Sequence, residues 1–259
     1  MLIGATRKAL DSLYVRRLKA SLADAALPRN VGIMLDGNRR WAKSLGYGDP
    51  IEGYRVGGEK VQTFLRWCDA AGIEHVTLFM LSDDNLHRPE SEVKPLIGII
   101  EEVVEGLAEP QNKWEVGLIG SLDLLPDSAA TRIKEAASST VGRNGGTRVD
   151  IAVGYGGRRE ITDAVRSALA EHLAQGGNLE EIVENFNSDD ISRHVYSRGN
   201  SDVDLIIRTS GEQRLSGFLL WQSAYAEVHF CECYWPDFRE IDFLRALRSF
   251  SGRHRRYGK

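Results

Sequence analysis

Short apolar runs alternate with helical patterns along most of this chain. Runs at 31–35, 75–81, 115–120, 148–154, 204–208 and 227–233 predict strands. Helical spacing of apolar positions predicts helices at 58–70, 92–107, 127–139, 158–174, 180–186, 189–196 and 238–250. Ala71-Gly72 and Gly176-Gly177 supply helix stops, and Pro236-Asp237 with Glu240 supplies a helix start. This alternation predicts an α/β fold, with a central six-stranded, mostly parallel sheet flanked by helices in one domain over 29–259. Residues 1–28 read as an N-terminal amphipathic helical arm. Leu10, Leu13, Tyr14 and Leu18 recur at helical spacing there, beside Arg7, Lys8, Arg16, Arg17 and Lys19. Such an arm can dock on the body or touch an anionic membrane surface.

Two stretches break the monotony. In the helix at 92–107, Val93, Leu96, Ile97, Ile100, Val103, Val104 and Leu107 form one apolar stripe, fit to pack on a sheet or to line a cavity. The strand at 31–35 runs into charge at Asp36-Gly37-Asn38-Arg39-Arg40. Gly37 lets backbone N–H groups approach an anion, and Asn38 tolerates the same tight turn. The guanidinium forks of Arg39 and Arg40 match phosphate oxygens. Asp36 stands at a strand's carboxyl end, where open α/β sheets place their chemistry. One carboxylate beside phosphate donors points to a shared Mg²⁺. On residues alone, an ordinary strand-to-helix turn with an exposed arginine pair fits as well.

Composition narrows the class. The chain has 259 residues, 42% hydrophobic and 27% charged, as in an ordinary globular protein. A net charge of −4 speaks against nucleic acid as a partner. No run reaches the roughly 18 apolar residues of a membrane span, and the N-terminus lacks a secretion-signal core. Cys68, Cys231 and Cys233 are too few for a disulfide framework or a zinc site, and the last two are expected as reduced core or near-core thiols. A cytoplasmic location is the expectation. Gly154-Tyr155-Gly156-Gly157 resembles a dinucleotide loop, but Arg159 stands where its last glycine belongs, so no nucleotide cofactor is expected.

The stretch Asp36 to Ala42 resembles the first signature of the cis-prenyltransferases, the undecaprenyl diphosphate synthase family. Four further stretches are similar, in the family's order: 82–89, 154–158, 208–216 and 218–227. Five blocks in order, running from about residue 30 to the C-terminus, are far more specific than any one of them.

The resemblance implies an Mg²⁺-dependent transfer joining isopentenyl diphosphate to C1 of an allylic diphosphate, with a new cis double bond. It implies that Asp36 binds Mg²⁺ and assists departure of the allylic diphosphate. Gly37, Asn38, Arg39 and Arg40 hold that diphosphate, with Trp41 near the chain entrance or in the core. Ser82, Asp83, Asp84 and Arg88 are implied to bind the allylic diphosphate from the mobile loop that follows, where Asn85 serves proton removal. Arg208, Arg214, Leu215 and Ser216 hold isopentenyl diphosphate, and Glu227 contributes to Mg²⁺. Without the family, Arg208 and Glu227 read equally as surface ion pairs. The helix at 92–107 is implied to line an apolar tunnel between helices and sheet, where a five-carbon unit gains roughly 3–4 kcal/mol at ~0.8 per CH₂. Arg256-Tyr257-Gly258 resembles an element that reaches the site across a homodimer interface, whose surface is expected around 218–250.

Departures from the family pattern carry information. Pro50 and Tyr54 stand where many members have Arg and His, Gln213 replaces a His, and Gly217 an Asn. Met80 replaces a small residue and Leu86 a Trp of long-chain members, so Met80 is expected to narrow the tunnel. Together these resemble short-chain actinobacterial members that make Z,E-farnesyl diphosphate from geranyl diphosphate. The alternatives are a decaprenyl or undecaprenyl product, a non-catalytic partner subunit, or an unrelated Mg²⁺-dependent phosphotransferase. An all-helical trans-type enzyme is a poor fit, because His87 breaks any Asp-Asp-x-x-Asp motif at Asp83-Asp84.

Overall fold

The computed structural model describes residues 2–197 and 201–253. At its centre β1 (Asn30–Met34) pairs in parallel with β2 (His75–Ser82) on one side and β5 (Leu205–Arg208) on the other. β4 (Arg148–Tyr155) and β3 (Val116–Ile119) extend the sheet past β2, and β6 (Glu227–Phe230) closes it past β5. Every ladder is parallel, giving the order β3-β4-β2-β1-β5-β6. Buried on both faces, β1 and β5 read as unbroken apolar runs rather than alternating ones. The direction of winding reverses between β1 and β5, and the crevice at their carboxyl ends is where such sheets bind ligands.

The larger core packs α3 (Ile51–Ala71), α5 (Glu90–Ala108) and α6 (Asp127–Ser138) on one sheet face and takes in Leu18 and Leu22 of the first helix and Phe243, Leu244 and Leu247 of the last. The helices α7 (Gly157–Ala174), α8 (Leu179–Asn185) and α9 (Ser188–His194) follow β4 in the chain. A smaller cluster on the opposite sheet face includes Met34, Ile119, Tyr155, Ile206 and Phe218. The expected apolar stripe of α5 is buried at Leu96, Ile97, Ile100, Val103, Val104 and Leu107. Both ends of this helix are tied down. Arg143 donates to the carbonyls of Leu107, Ala108, Glu109 and Asn112 at its carboxyl end, and Glu92 in its first turn bonds to Arg88 and Tyr54.

Several boundaries differ from the sequence pattern, each for a local reason. α3 begins at Ile51 rather than 58, because Gly53, Gly57 and Gly58 blur its apolar period. The first of these glycines permits a close crossing of two helices. A methyl at Gly53 would collide with the carbonyl of Asn38 in α2 (Asn38–Ser44), a short helix the pattern did not separate from its turn. β6 stops at Phe230 instead of 233, since a bend at Glu232–Cys233 turns the chain away, so Cys231 and Cys233 lie beyond the strand. The last helix, α10 (Glu240–Ser251), is capped by Arg239 and Asp242, while Pro236-Asp237 lies in a separate 3-10 turn.

The arm forms α1 (Leu2–Leu22), which packs along α10. Leu18 and Leu22 are buried, Tyr14 lies under the Arg245 guanidinium, and Lys19 pairs with Glu240 at 2.6 Å. Leu13, expected on the apolar face, is exposed. Among the described residues, no helix is long and apolar enough to cross a membrane.

Candidate active site

Asp36 leaves β1 directly into the β1/β5 crevice. Its backbone is stapled on both sides. The Thr209 hydroxyl accepts from the Asp36 amide at 2.9 Å and donates to its carbonyl at 2.7 Å, which also takes the Trp235 amide at 3.0 Å. Gly37 then adopts φ 101°, and a methyl there would strike the Tyr234 ring, so only glycine lets the chain turn into α2 at this point.

The Asp36 carboxylate is divided between two donors. Oδ1 accepts from the Gly37 amide at 2.8 Å, and Oδ2 accepts from Arg208 Nη2 at 2.7 Å. Arg208 is 3% exposed, donates from Nη1 to Ser216 Oγ at 3.0 Å and to the Arg214 carbonyl, and leaves Nε without a hydrogen-bond partner among the described residues. An unsatisfied donor on a buried cation is costly, and a pocket-facing arginine of this kind is suited to an anion. Arg40 donates to Ser210 Oγ at 2.7 Å and to Glu212 at 3.0 Å, and lies 5.6 Å from the Tyr234 ring centre. Glu212 also pairs with Arg214. On the far rim, Arg88 donates to Tyr54 Oη at 2.9 Å and to Glu92 at 2.8 Å, and Arg39 reaches Glu92 at 3.4 Å. Burial pushes the Tyr54 phenol above its ordinary pKa, so it remains a neutral hydroxyl at neutral pH.

These groups ring a cavity of about 950 Å³. Its lining carries Asp36, Arg39, Arg40, Arg88, Arg208, Arg214 and Ser216 together with the apolar side chains of Phe79, Met80, Leu96, Ile99 and Trp235. A β-bulge makes Met80 the extra residue of β2, so Phe79 and Met80 both reach the cavity although they are consecutive. The loop helix α4 (Asp83–Leu86) is capped by Ser82, whose Oγ accepts the Asn85 amide at 3.1 Å and its side-chain nitrogen as well.

Most expected site residues meet at this cavity, and four do not. Trp41 is buried and stacks on Tyr47, which lines the cavity. Asp83 turns toward Gly156. Leu215 packs against the smaller core cluster. Glu227 opens β6, where it pairs with Leu205, while Arg208 pairs with Phe230. Within one chain this puts Glu227 at the opposite end of the sheet, with its carboxylate held by Arg253. Arg256-Tyr257-Gly258 lies outside the described residues. Asn38 does line the cavity, but its side-chain nitrogen is spent on the Leu35 carbonyl at 2.7 Å. The pattern missed Tyr54, Glu92 and Glu212. Tyr54 in particular supplies a polar contact, through Arg88 and Glu92, at the position where many members have His.

An Mg²⁺ ion fits this donor set in one way. Among the described residues, no group of three His, Cys, Asp or Glu side chains could hold a metal alone. Asp36 can supply one carboxylate with lone pairs to spare. Mg²⁺ accepts that arrangement, since it keeps several waters and draws its other oxygens from substrate phosphates.

Comparison with known proteins agrees with this geometry. The family described as "Putative undecaprenyl diphosphate synthase" matches residues 33–258. "Isoprenyl transferase 2" of Streptomyces coelicolor is 68% identical over 253 residues, covering 98% of both chains. A "(2Z,6E)-farnesyl diphosphate synthase" of Thermobifida fusca is 56% identical over 256 residues, covering 99% of this chain and 100% of the relative. Among solved structures, lavandulyl diphosphate synthase from Lavandula x intermedia in complex with dimethylallyl diphosphate superposes with a TM-score of 0.82 at 32% identity, covering 90% of this chain and 99% of that one.

Proposed function

The chain belongs to the undecaprenyl diphosphate synthase family, the cis-prenyltransferases, and on that footing we propose that it condenses isopentenyl diphosphate with geranyl diphosphate to Z,E-farnesyl diphosphate. Its activity is short-chain cis-prenyl transfer. The C1–O bond of the allylic substrate breaks, diphosphate leaves, C4 of isopentenyl diphosphate bonds to C1, and a proton is lost from C2.

One observation carries the reading. Arg208, buried with its Nε–H unpartnered among the described residues, is tied to Asp36 in a cavity whose lining also includes the apolar side chains of Phe79, Met80, Leu96 and Ile99. Arg39, Arg40 and the Gly37 turn receive the allylic diphosphate, and Tyr54 and Arg88 steady it from the rim. Arg208, Arg214 and Ser216 receive isopentenyl diphosphate. Asp36 is the group that would hold Mg²⁺, which when bound offsets the negative charge of a departing diphosphate. An amide is a poor base, so Asn85 orients a phosphate oxygen or water that takes the proton. The apolar part of the lining accommodates the geranyl tail, and Met80 stops growth after one addition.

The proposal extends to a cytoplasmic homodimer. Its surface is residues 218–250, where β6 is the half-buried outer strand and Tyr225 is exposed. The exposed Arg16 and Arg17 of α1 give a basic face for peripheral contact with anionic membrane.

The test is a condensation assay with labelled isopentenyl diphosphate, Mg²⁺ and either geranyl or farnesyl diphosphate, with products sized by chromatography. A single C15 product from geranyl diphosphate is expected, abolished by EDTA. A polyprenyl ladder from farnesyl diphosphate overturns the chain length, and no product with either primer overturns the enzyme.

A further inference from the structure

Behind the site turn at 208–211 lies a pair of thiols that the reaction does not use. The bend at Glu232–Cys233 brings Cys231 Sγ to 3.1 Å from Cys233 Sγ, with both residues half-buried and both thiols free. A disulfide needs about 2.05 Å, so an approach of roughly one ångström would close a bridge. The backbones of these cysteines carry the turn. Cys231 donates its amide to the Arg208 carbonyl at 2.8 Å, the Cys231 carbonyl accepts the Gly211 amide at 2.9 Å, and the Cys233 carbonyl accepts the Ser210 amide at 2.7 Å. Ser210 is a non-glycine residue held at φ 82°, and its hydroxyl takes the Arg40 guanidinium. That strained conformation is kept by the surrounding bonds, two of which come from this cysteine segment.

We propose that Cys231 and Cys233 are an oxidisable dithiol that closes to an intrachain disulfide at the expense of a low-molecular-weight disulfide, and that closure displaces the turn carrying Arg208 and Ser210. The Cys231 thiolate attacks one sulfur of the oxidant and expels a thiolate, forming a mixed disulfide. Cys233 then gives up its proton and attacks Cys231 Sγ, expelling the second thiolate. Two protein thiols and one disulfide become one protein disulfide and two small thiols, with two electrons passed to the oxidant. The order of attack follows the environment. A hydrogen bond from Cys233 lowers the Cys231 thiol to about 7, while the same contact and burial push Cys233 up. Cys68, fully buried and raised by desolvation, is the unreactive internal control.

The test treats the full chain with glutathione disulfide, blocks remaining thiols by alkylation, digests with trypsin and weighs the peptides. Both cysteines fall in one tryptic peptide, 215–239. The expected result is a peptide two hydrogens lighter and closed to alkylation, reversed by a thiol reductant, with Cys68 still open once the chain is unfolded. The KM for isopentenyl diphosphate should rise about fivefold, the loss of one hydrogen bond, and that for geranyl diphosphate should rise with it, because Ser210 holds Arg40. Cys233→Ser should stop at a single glutathione adduct and Cys231→Ser should stay unmodified. A stable adduct on the unaltered chain, an interchain bridge, or no reaction overturns the dithiol. A closed bridge with unchanged isopentenyl KM overturns its coupling to the turn. The mass readout needs no activity, so it judges the dithiol even if prenyl transfer itself fails.

Discussion

Arg208 Nη2 donates to Asp36 Oδ2 across 2.7 Å, so the main cation of one proposed diphosphate pocket is neutralised by the carboxylate of the other. The same device recurs at the rim, where Glu212 stands between Arg40 and Arg214. Neither substrate meets uncompensated charge. Apart from Arg208 Nε, which has no partner among the described residues, donors of these side chains are already engaged, so an incoming anion competes with Asp36 and Glu212 for them.

Replacing Asp36 by Asn keeps the shape and removes the charge. Prenyl transfer should fall about 10²- to 10³-fold in kcat, the usual cost of losing one electrostatic group at a reacting centre. Single-turnover kinetics with saturating Mg²⁺ checks this, and a kcat within tenfold of the unaltered chain would remove Asp36 from the mechanism. A thermal melt alongside separates lost chemistry from lost fold.

Met80→Ala opens the apolar part of the cavity lining at the bulge. Products longer than C15 should appear by chromatography, at a stability cost of about 1 kcal/mol, small because Met80 is only half-buried. An unchanged C15 product would assign the stop to another residue.

Tyr54→Phe deletes the hydroxyl that bridges Arg88 and Glu92. The KM for the allylic diphosphate should rise about fivefold, one hydrogen bond's worth, while that for isopentenyl diphosphate stays put. Equal shifts in both would show that Tyr54 shapes the whole cavity rather than one pocket.

Gly53→Ala tests the close approach of α3 to α2. The added methyl meets the Asn38 carbonyl, and overpacking of this kind costs about 1–3 kcal/mol. Urea denaturation reads the loss directly, and a neutral change would mean that α2 yields.

Glu160 gives a pH signature away from the cavity. Its buried carboxylate accepts from Tyr155 Oη, from Gln222 Nε2 at 2.9 Å and from the Tyr196 amide at 2.9 Å, yet burial still holds its pKa above the ordinary 4.5. In the window above 4.5 the native state therefore binds more protons than the unfolded chain at this site, and stability falls as pH rises through it. Glu160→Gln has no such proton to lose. The difference between the urea midpoints of the two proteins should change across that window, and a constant difference would show that the carboxyl does not titrate there.

What the chain disclosed in advance was set by period and by punctuation. The buried parallel strands announced themselves as apolar runs, and Asp36-Gly37 announced the crevice, because both signals are local. Glu227 misled for the opposite reason. Its place depends on the register of β6 against β5, which nothing within the segment specifies. Of the two places left open for Trp41, the structure takes the core one, set by a stack on Tyr47 that a linear pattern does not encode. Tyr54 and Glu92, 38 positions apart, became partners only when α3 and α5 packed side by side.

Arg143 holds four carbonyls at the carboxyl end of α5, while Glu92 anchors its opening turn beside the cavity. The helix is thus a beam pinned at both supports, unable to slide along its axis. Under the proposed reaction, an isoprenoid pressing on Leu96 and Ile99 meets stiff resistance, not gradual yielding. Product length then becomes a mechanical property of the scaffold, adjustable in whole side chains and indifferent to how long the substrate stays bound.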